Sequence, residues 1–147
     1  MTVERPQPAD DNEPPDDVQP AARILVVDDD EAIRDLYSQV LSDMGFLVDV
    51  AGDGAQGLEA LRQQPYSVII SDIKMPNVGG FEFWAGSESV RPGTGSRFIF
   101  TTGYLDILST TEYSAVGNRP CIEKPAKLED IQSAVTELMR HVGVLAG

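Results

Sequence analysis

The sequence predicts an α/β fold in which a doubly wound, five-stranded parallel sheet is covered by five helices. Short apolar runs of strand length alternate with segments of helical periodicity, and brief turn signals separate them. Strands buried on both faces consist of unbroken apolar runs, and strict alternation with helices favours a parallel sheet. The last strand is interrupted by Pro120, which is typical of an edge strand. The predicted strands are 23–27, 46–50, 66–71, 97–101 and 119–123.

The first two helices begin at aspartates that precede apolar residues at helical spacing. Asp30 and Asp53 are placed as N-caps, because a short carboxylate can accept a hydrogen bond from the first turn. Gly45 stands where a glycine ends a helix. The inward positions expected are Ile33, Leu36, Tyr37, Val40, Leu41 and Met44 in the first helix and Ala55, Leu58 and Leu61 in the second.

Three further helices complete the pattern. The helix predicted over 81–91 contains an internal glycine, Gly86, and the helix predicted over 105–115 is poorly patterned. The last helix has the clearest pattern, since its apolar residues fall on one face. These residues are Leu128, Ile131, Val135, Leu138, Met139 and Val142.

The charge of the 147-residue chain is uneven. Of its 24 acidic and 11 basic residues, six acids and one base lie in residues 1–22, together with five of the ten prolines. Such a segment cannot bury enough apolar surface to offset its ordering entropy, so we predict a disordered tail over 1–22, a folded domain over 23–142 and a short tail over 143–147. The remaining 18 acids and 10 bases leave a net charge of −8. Nucleic acid is therefore not an expected partner, because binding to it depends on Lys and Arg at phosphates.

Composition also argues against a membrane protein, a secreted protein, and a protein built around disulfides or a histidine or cysteine metal site. Apolar runs such as 24–27 are far shorter than the roughly 18 residues of a membrane span, and the acidic, Pro-rich N-terminus does not resemble a signal peptide. One cysteine excludes an internal disulfide framework or a cysteine zinc site, and one histidine argues against a histidine metal cluster. We therefore expect a cytoplasmic protein with no membrane contact.

Polar side chains stand where several predicted strands end. Asp28 and Asp29 follow the first strand, Asp72 the third, Thr102 the fourth and Lys124 the fifth. Because the carboxyl ends of parallel strands meet at one edge, where ligands bind, these groups should converge. Clustered carboxylates repel one another unless a cation lies between them, and Mg²⁺ prefers oxygen ligands. With a lysine and a hydroxyl, this edge could stabilise a transferring phosphoryl group, with Asp72 as the best-placed nucleophile.

Four segments resemble the receiver domain of bacterial two-component response regulators. They are IleLeuValValAspAsp at 24–29, AspIleLysMetProAsnValGlyGly at 72–80, ThrThrGly at 101–103 and LysPro at 124–125. Each segment alone is weak, but all four occur in order at the expected strand ends, and the resemblance covers about 23–142. It implies a flavodoxin-like sheet with strand order 2-1-3-4-5.

The resemblance also implies roles for the residues at this edge. Asp72 would accept a phosphoryl group from a sensor histidine kinase or a histidine phosphotransfer protein. The two aspartates after the first strand would hold Mg²⁺ together with Asp72 and the backbone carbonyl of Lys74. Thr102 would be the switch hydroxyl, and Lys124 would contact the phosphoryl oxygens.

In this family, two further positions flank the path of the water that hydrolyses the acyl phosphate, and here they are Lys74 and Tyr104. Neither side chain orients water well, so the resemblance implies slow hydrolysis. The protein would catalyse only its own phosphorylation and dephosphorylation, and it would act by switching contacts with a downstream protein target. No output domain follows the last helix in this sequence, which predicts a stand-alone regulator or a receiver module from a hybrid histidine kinase.

Two other functions stay open at this point. The run AspAspAsp also resembles the nucleophile motif of haloacid-dehalogenase-like phosphatases, with Asp28 and Asp30 as the pair. Position 32 is alanine, however, and the chain is short for that fold. The third candidate is an interaction module that has lost phosphorylation, and the intact set of key side chains argues against it.

Overall fold

The computed structural model describes residues 22–103 and 119–144. Its strands are β1 (Arg23–Val27), β2 (Leu47–Ala51), β3 (Val68–Asp72), β4 (Phe98–Thr102) and β5 (Cys121–Glu123). Its helices are α1 (Glu31–Asp43), α2 (Gly54–Gln63), α3 (Gly80–Val90) and α4 (Leu128–His141), with a 3₁₀ turn over Thr94–Arg97. All strand pairs are parallel, and the order is β2-β1-β3-β4-β5. The predicted fold class and strand order are confirmed, and the helix predicted over 105–115 lies outside the described residues.

The bounds of β1 are as predicted, and those of the other four strands differ from the predictions by one or two residues. The apolar run at 66–71 begins with Tyr66, which is buried although β3 begins only at Val68. Side-chain burial therefore begins before the hydrogen-bonded strand. An apolar run in the sequence predicts the buried residues more closely than it predicts the bounds of the strand. The strand with Pro120 before it, β5, lies at an edge of the sheet as predicted.

Alternate residues of each strand point to opposite faces of the sheet, and each face has its own apolar core. In β1, Ile24 and Val26 pack with residues of α1 and α4, whereas Leu25 and Val27 pack with residues of α2 and α3. Both faces are covered, so the polar residues of the sheet collect at its ends.

The two predicted N-caps are confirmed. An Asp30 carboxylate oxygen accepts a hydrogen bond from the Ala32 backbone N–H at 2.9 Å, and Asp53 accepts one from the Gln56 N–H at 2.9 Å. Gly45 follows α1 with φ of 97°, a conformation that favours glycine.

Two predicted inward positions are wrong. Leu36 in α1 remains 44% exposed, because Tyr37 and Leu41 supply the buried face of that helix. In α2, Ala55 is exposed and Gly57 is buried instead. A Cβ atom on Gly57 would lie 2.7 Å from the Phe83 ring, so α3 packs too closely there for a side chain.

No helix within residues 22–103 and 119–144 combines the length and the apolar character needed to cross a membrane.

Candidate functional site

The Lys124 ammonium lies between two carboxylates that come from other parts of the chain. Its Nζ atom donates to Asp28 Oδ2 at 2.8 Å and to Asp72 Oδ2 at 3.0 Å. Asp28 follows β1, Asp72 ends β3 and Lys124 follows β5, so the parallel order of the sheet brings the three groups to one edge. Both aspartates are buried, with 2% and 6% of their surface exposed.

A third carboxylate completes an acidic cluster at this edge. Oxygen atoms of Asp28, Asp29 and Asp72 all lie within 4.8 Å of one another. Asp29 is exposed, so the cluster faces solvent on its side. Hard divalent cations bind oxygen donors grouped in this way.

Backbone and side-chain contacts hold Asp28 in place. Its Oδ1 atom accepts a hydrogen bond from the Asp30 N–H at 2.9 Å, and its carbonyl oxygen accepts one from Arg34 Nη1 at 2.8 Å. This contact of Arg34 cannot be predicted from the sequence, since an arginine one turn into a helix carries no motif of its own. Asp30 is exposed, and its carboxylate caps α1 rather than joining the cluster.

The loop between β3 and α3 fixes the backbone at Asp72. A Cβ atom on Gly80 would lie 2.4 Å from the Asp72 carbonyl oxygen, so only glycine allows α3 to begin this close to the strand. Asn77, at φ of 65°, donates to Asp53 Oδ2 at 3.0 Å and ties the loop to the start of α2. The Lys74 backbone also forms a hydrogen bond with the Asp72 carboxylate.

The electrostatics of the site show an excess of negative charge. Burial raises the pKa of Asp72, and the neighbouring Asp28 adds to this, while Lys124 acts in the opposite direction. Burial alone would lower the pKa of Lys124, but its hydrogen bonds to the two carboxylates outweigh that effect and raise it. Lys124 therefore stays an ammonium, and one lysine compensates the carboxylates only in part.

The end of β4 lies beside these groups. Thr102 is fully buried, and its carbonyl oxygen accepts a hydrogen bond from the Lys124 N–H at 2.7 Å. Thr101 is in register with Asp72, and its buried hydroxyl has no hydrogen-bond partner among the described residues. The predicted gating residue Tyr104 lies outside the described residues.

A hollow of about 550 Å³ opens next to the acidic cluster. Asp29, Lys74 and Met75 contribute to its lining, and the Lys74 side chain is exposed there. The site is thus reachable from solvent on the side of the β3–α3 loop.

A parallel doubly wound sheet with clustered aspartates and a lysine at its carboxyl edge defines the class of receiver domains. The chain belongs to this class, since the sequence model of the response regulator receiver domain family matches residues 24–136. Receiver domains of response regulators interact with histidine kinases and downstream targets.

Individual relatives agree with this assignment. The chain is 30% identical over 114 residues to the probable chemotaxis protein CheY of Rhizobium etli, covering 77% of this chain and 88% of that protein. It is similar to a CheY-like receiver domain protein from Methanospirillum hungatei, with a TM-score of 0.75, 29% identity and coverage of 84% and 97% of the two chains. The response regulator TrrA of Thermotoga maritima, solved in complex with Mg²⁺ and BeF, gives a TM-score of 0.69, 27% identity and coverage of 80% and 98%.

Proposed function

We propose that this receiver domain accepts a phosphoryl group on Asp72 from the phosphohistidine of a sensor histidine kinase or histidine phosphotransfer protein. The gain of the phosphoryl group would switch contacts with a downstream protein target. The observation that carries the proposal is the position of Lys124 Nζ, which is within hydrogen-bond distance of both Asp72 and Asp28. A cation is thereby held against the carboxylate that ends the central strand.

The reaction is a phosphoryl transfer between two side chains. An Asp72 carboxylate oxygen attacks phosphorus, an O–P bond forms as the P–N bond of the phosphohistidine breaks, and the departing imidazole takes up a proton. Charge in such a transfer spreads over the phosphoryl oxygens, so positioned cations and donors supply most of the catalysis. In the proposed reaction Lys124 would contact those oxygens, and Thr102 would supply a hydroxyl from the end of the adjacent strand.

The residues of the acidic cluster fit Mg²⁺. Their carboxylate oxygens lie within 4.8 Å of one another, and the ammonium of Lys124 pairs with two of the three carboxylates, Asp28 and Asp72. Asp28, Asp29, Asp72 and the Lys74 carbonyl would hold the ion. Bound there, Mg²⁺ supplies positive charge that allows an anionic phosphoryl group to approach the carboxylates.

In this proposal the domain is a switch and does not turn over a separate substrate. It catalyses its own phosphorylation and dephosphorylation, and its output is a change in protein contacts. The acidic composition favours a protein partner over nucleic acid or a membrane surface, and we propose that the contacts form in the cytoplasm. The phosphatase alternative finds no support in the geometry, because the Asp30 carboxylate is used as a helix cap.

Intact-mass measurement after incubation with acetyl phosphate and Mg²⁺ tests the proposal. We expect one phosphoryl adduct, which maps to Asp72. The adduct should not form when the metal is chelated before the donor is added. The matched control Asp30→Asn should be labelled like the wild type. Turnover of acetyl phosphate with an adduct on Asp28 would support the phosphatase, and the absence of any adduct would support an interaction module.

A further inference from the structure

A second charged feature lies at the opposite, amino edge of the sheet. A cavity of about 610 Å³ there is lined by two arginines, Arg91 after α3 and Arg97 at the end of the 3₁₀ turn. Tyr66 and Ser67, which lead into β3, form another part of its wall. The cavity is therefore separated from the phosphoryl site by the length of the strands.

The two arginine side chains are held in position by backbone carbonyls. Arg91 Nε donates to the Leu61 carbonyl oxygen at 2.6 Å, and Arg97 Nη1 donates to the Ser67 carbonyl oxygen at 3.1 Å. A guanidinium has five N–H donors, so each side chain is anchored while most of its donors stay available. Such fixed, planar donors match the two oxygens of a carboxylate.

Neither arginine has a carboxylate partner among the described residues. Arg23, Arg62 and Lys124 all form ion pairs there, but Arg91 and Arg97 form none. In a chain with a net charge of −13, two arginines that line one cavity and have no acidic partner among the described residues indicate a site for an acidic ligand.

An acidic segment, residues 10–17, precedes the point at which the same chain enters the sheet. The segment AspAspAsnGluProProAspAsp holds five carboxylates. The chain enters the sheet at Arg23, whose carbonyl oxygen accepts a hydrogen bond from the N–H of the cavity residue Ser67 at 2.8 Å. Asp17 precedes the first described residue by five positions, a reach of up to about 17 Å in extended chain. A tether of this length raises the effective concentration of the segment to the millimolar range.

We propose that the cavity lined by Arg91 and Arg97 binds the acidic segment 10–17 of the same chain. The segment would lie along the amino edge of the sheet and leave the phosphoryl edge open. Because the contact is between charged groups near the surface, it weakens as salt is added.

Paramagnetic relaxation in the full-length protein tests this contact. A spin label at Asn12→Cys, in a Cys121→Ser background, should broaden the amide signals of Ser67, Gly93 and Thr94 at low salt. We expect the broadening to be lost in about 1 M salt, where the Debye length is about 3 Å. It should also be lost in the double variant Arg91→Gln/Arg97→Gln. The matched double variant Lys127→Gln/Arg140→Gln removes two exposed cations on the last helix and just before it, and it should keep the broadening.

A second variant keeps the test independent of changes in the cavity. Replacing the five acids of the segment by their amides, with both arginines intact, should abolish the broadening as well. Absence of broadening in the wild-type background, or its persistence in either the arginine or the amide variant, would overturn the proposal.

A mixture of spin-labelled ¹⁴N protein and unlabelled ¹⁵N protein reports contacts between copies. If the broadening appears there, the occupant is a second copy and the proposal is wrong.

Discussion

Lys124 offsets negative charge that burial makes costly. The Asp28 side chain is 2% exposed and the Asp72 side chain 8%, while the lysine itself keeps 22%. Removing one partner of a buried ion pair leaves an uncompensated charge, which costs more than the pair itself contributes. The residue therefore serves the stability of the metal-free domain as well as the proposed chemistry.

Replacing Lys124 by methionine should lower the free energy of unfolding by about 1–3 kcal/mol at pH 7 in metal-free buffer. Methionine keeps much of the side-chain volume but leaves the two carboxylates without their cation. The loss should shrink as the pH falls, because protonation of the carboxylates removes the charge that the lysine compensates. Urea denaturation at pH 7 and near pH 4 measures both effects.

The control for this experiment is Lys127→Met. Lys127 is exposed, and it has no acidic partner among the described residues. Equal losses of stability in the two variants would contradict the account of Lys124.

Two side chains, Lys74 and Tyr104, are expected to set the lifetime of the phosphorylated state. The exposed Lys74 lies beside the acidic cluster, and the sequence places Tyr104 two residues after Thr102. We predict that the double variant Lys74→Asn/Tyr104→Glu dephosphorylates faster by one to two orders of magnitude, because amide and acidic side chains can orient the attacking water. That change corresponds to roughly 1.4–2.7 kcal/mol in the barrier. A chase of the labelled protein measures the decay, and equal or slower decay in the double variant refutes the prediction.

The start of α3 packs directly against the backbone of Asp72. A Cβ atom at Gly80 would meet the Asp72 carbonyl oxygen at 2.4 Å and Ile73 Cα at 2.8 Å, both of which are backbone atoms that cannot easily move away. Gly80→Ala should therefore cost about 1–3 kcal/mol of stability and slow the phosphorylation of Asp72.

Gly103→Ala is the matched variant for that prediction, because a Cβ atom there meets no atom of the described residues within 4 Å. Denaturation and labelling of both proteins measure the difference. An alanine at position 80 that leaves stability and labelling unchanged would show that the loop can shift without disturbing the site.

The sheet could be predicted from the sequence more fully than the inward faces of the helices or the contacts between distant side chains. The sheet could be predicted, because apolar runs record burial on both faces and the polar residues that end them mark the carboxyl edge. The inward face of α2 could not, since Gly57 packs against Phe83 without a side chain that a hydrophobic pattern would count. The contacts of Arg34 with Asp28 and of Asn77 with Asp53 depend on how separate segments meet in space, and local spacing does not record that.

At the scale of the whole molecule, the two edges of the sheet carry different chemistry. The carboxyl edge holds the acidic cluster with Lys124. At the amino edge, the Tyr66 hydroxyl donates to Asp49 at 2.6 Å, and Asp49 also pairs with Arg23. Burial and the bond to Asp49 raise the pKa of Tyr66 to about 12.

This raised pKa predicts a stability loss at alkaline pH. The unfolded state releases the tyrosine proton near pH 10, whereas the folded state keeps it until about pH 12, so the stability contribution is complete below pH 10 and is lost above it. The loss amounts to at most about 3 kcal/mol. Urea denaturation between pH 8 and 12 should show a steeper decline for the wild type than for Tyr66→Phe. Tyr37, whose pKa is also raised, is present in both proteins. Parallel pH profiles would contradict the assignment.

Phosphorylation of the Asp72→Asn variant tests most directly whether Asp72 is the phosphoryl acceptor. Asparagine is nearly isosteric with aspartate but cannot act as the phosphoryl acceptor, and removal of one crowded charge should leave the fold intact. With acetyl phosphate and Mg²⁺, we predict no phosphoryl adduct on Asp72→Asn, full labelling of the wild type, and unfolding midpoints that differ little. Labelling of the folded Asp72→Asn protein at the wild-type rate would show that Asp72 is not the acceptor.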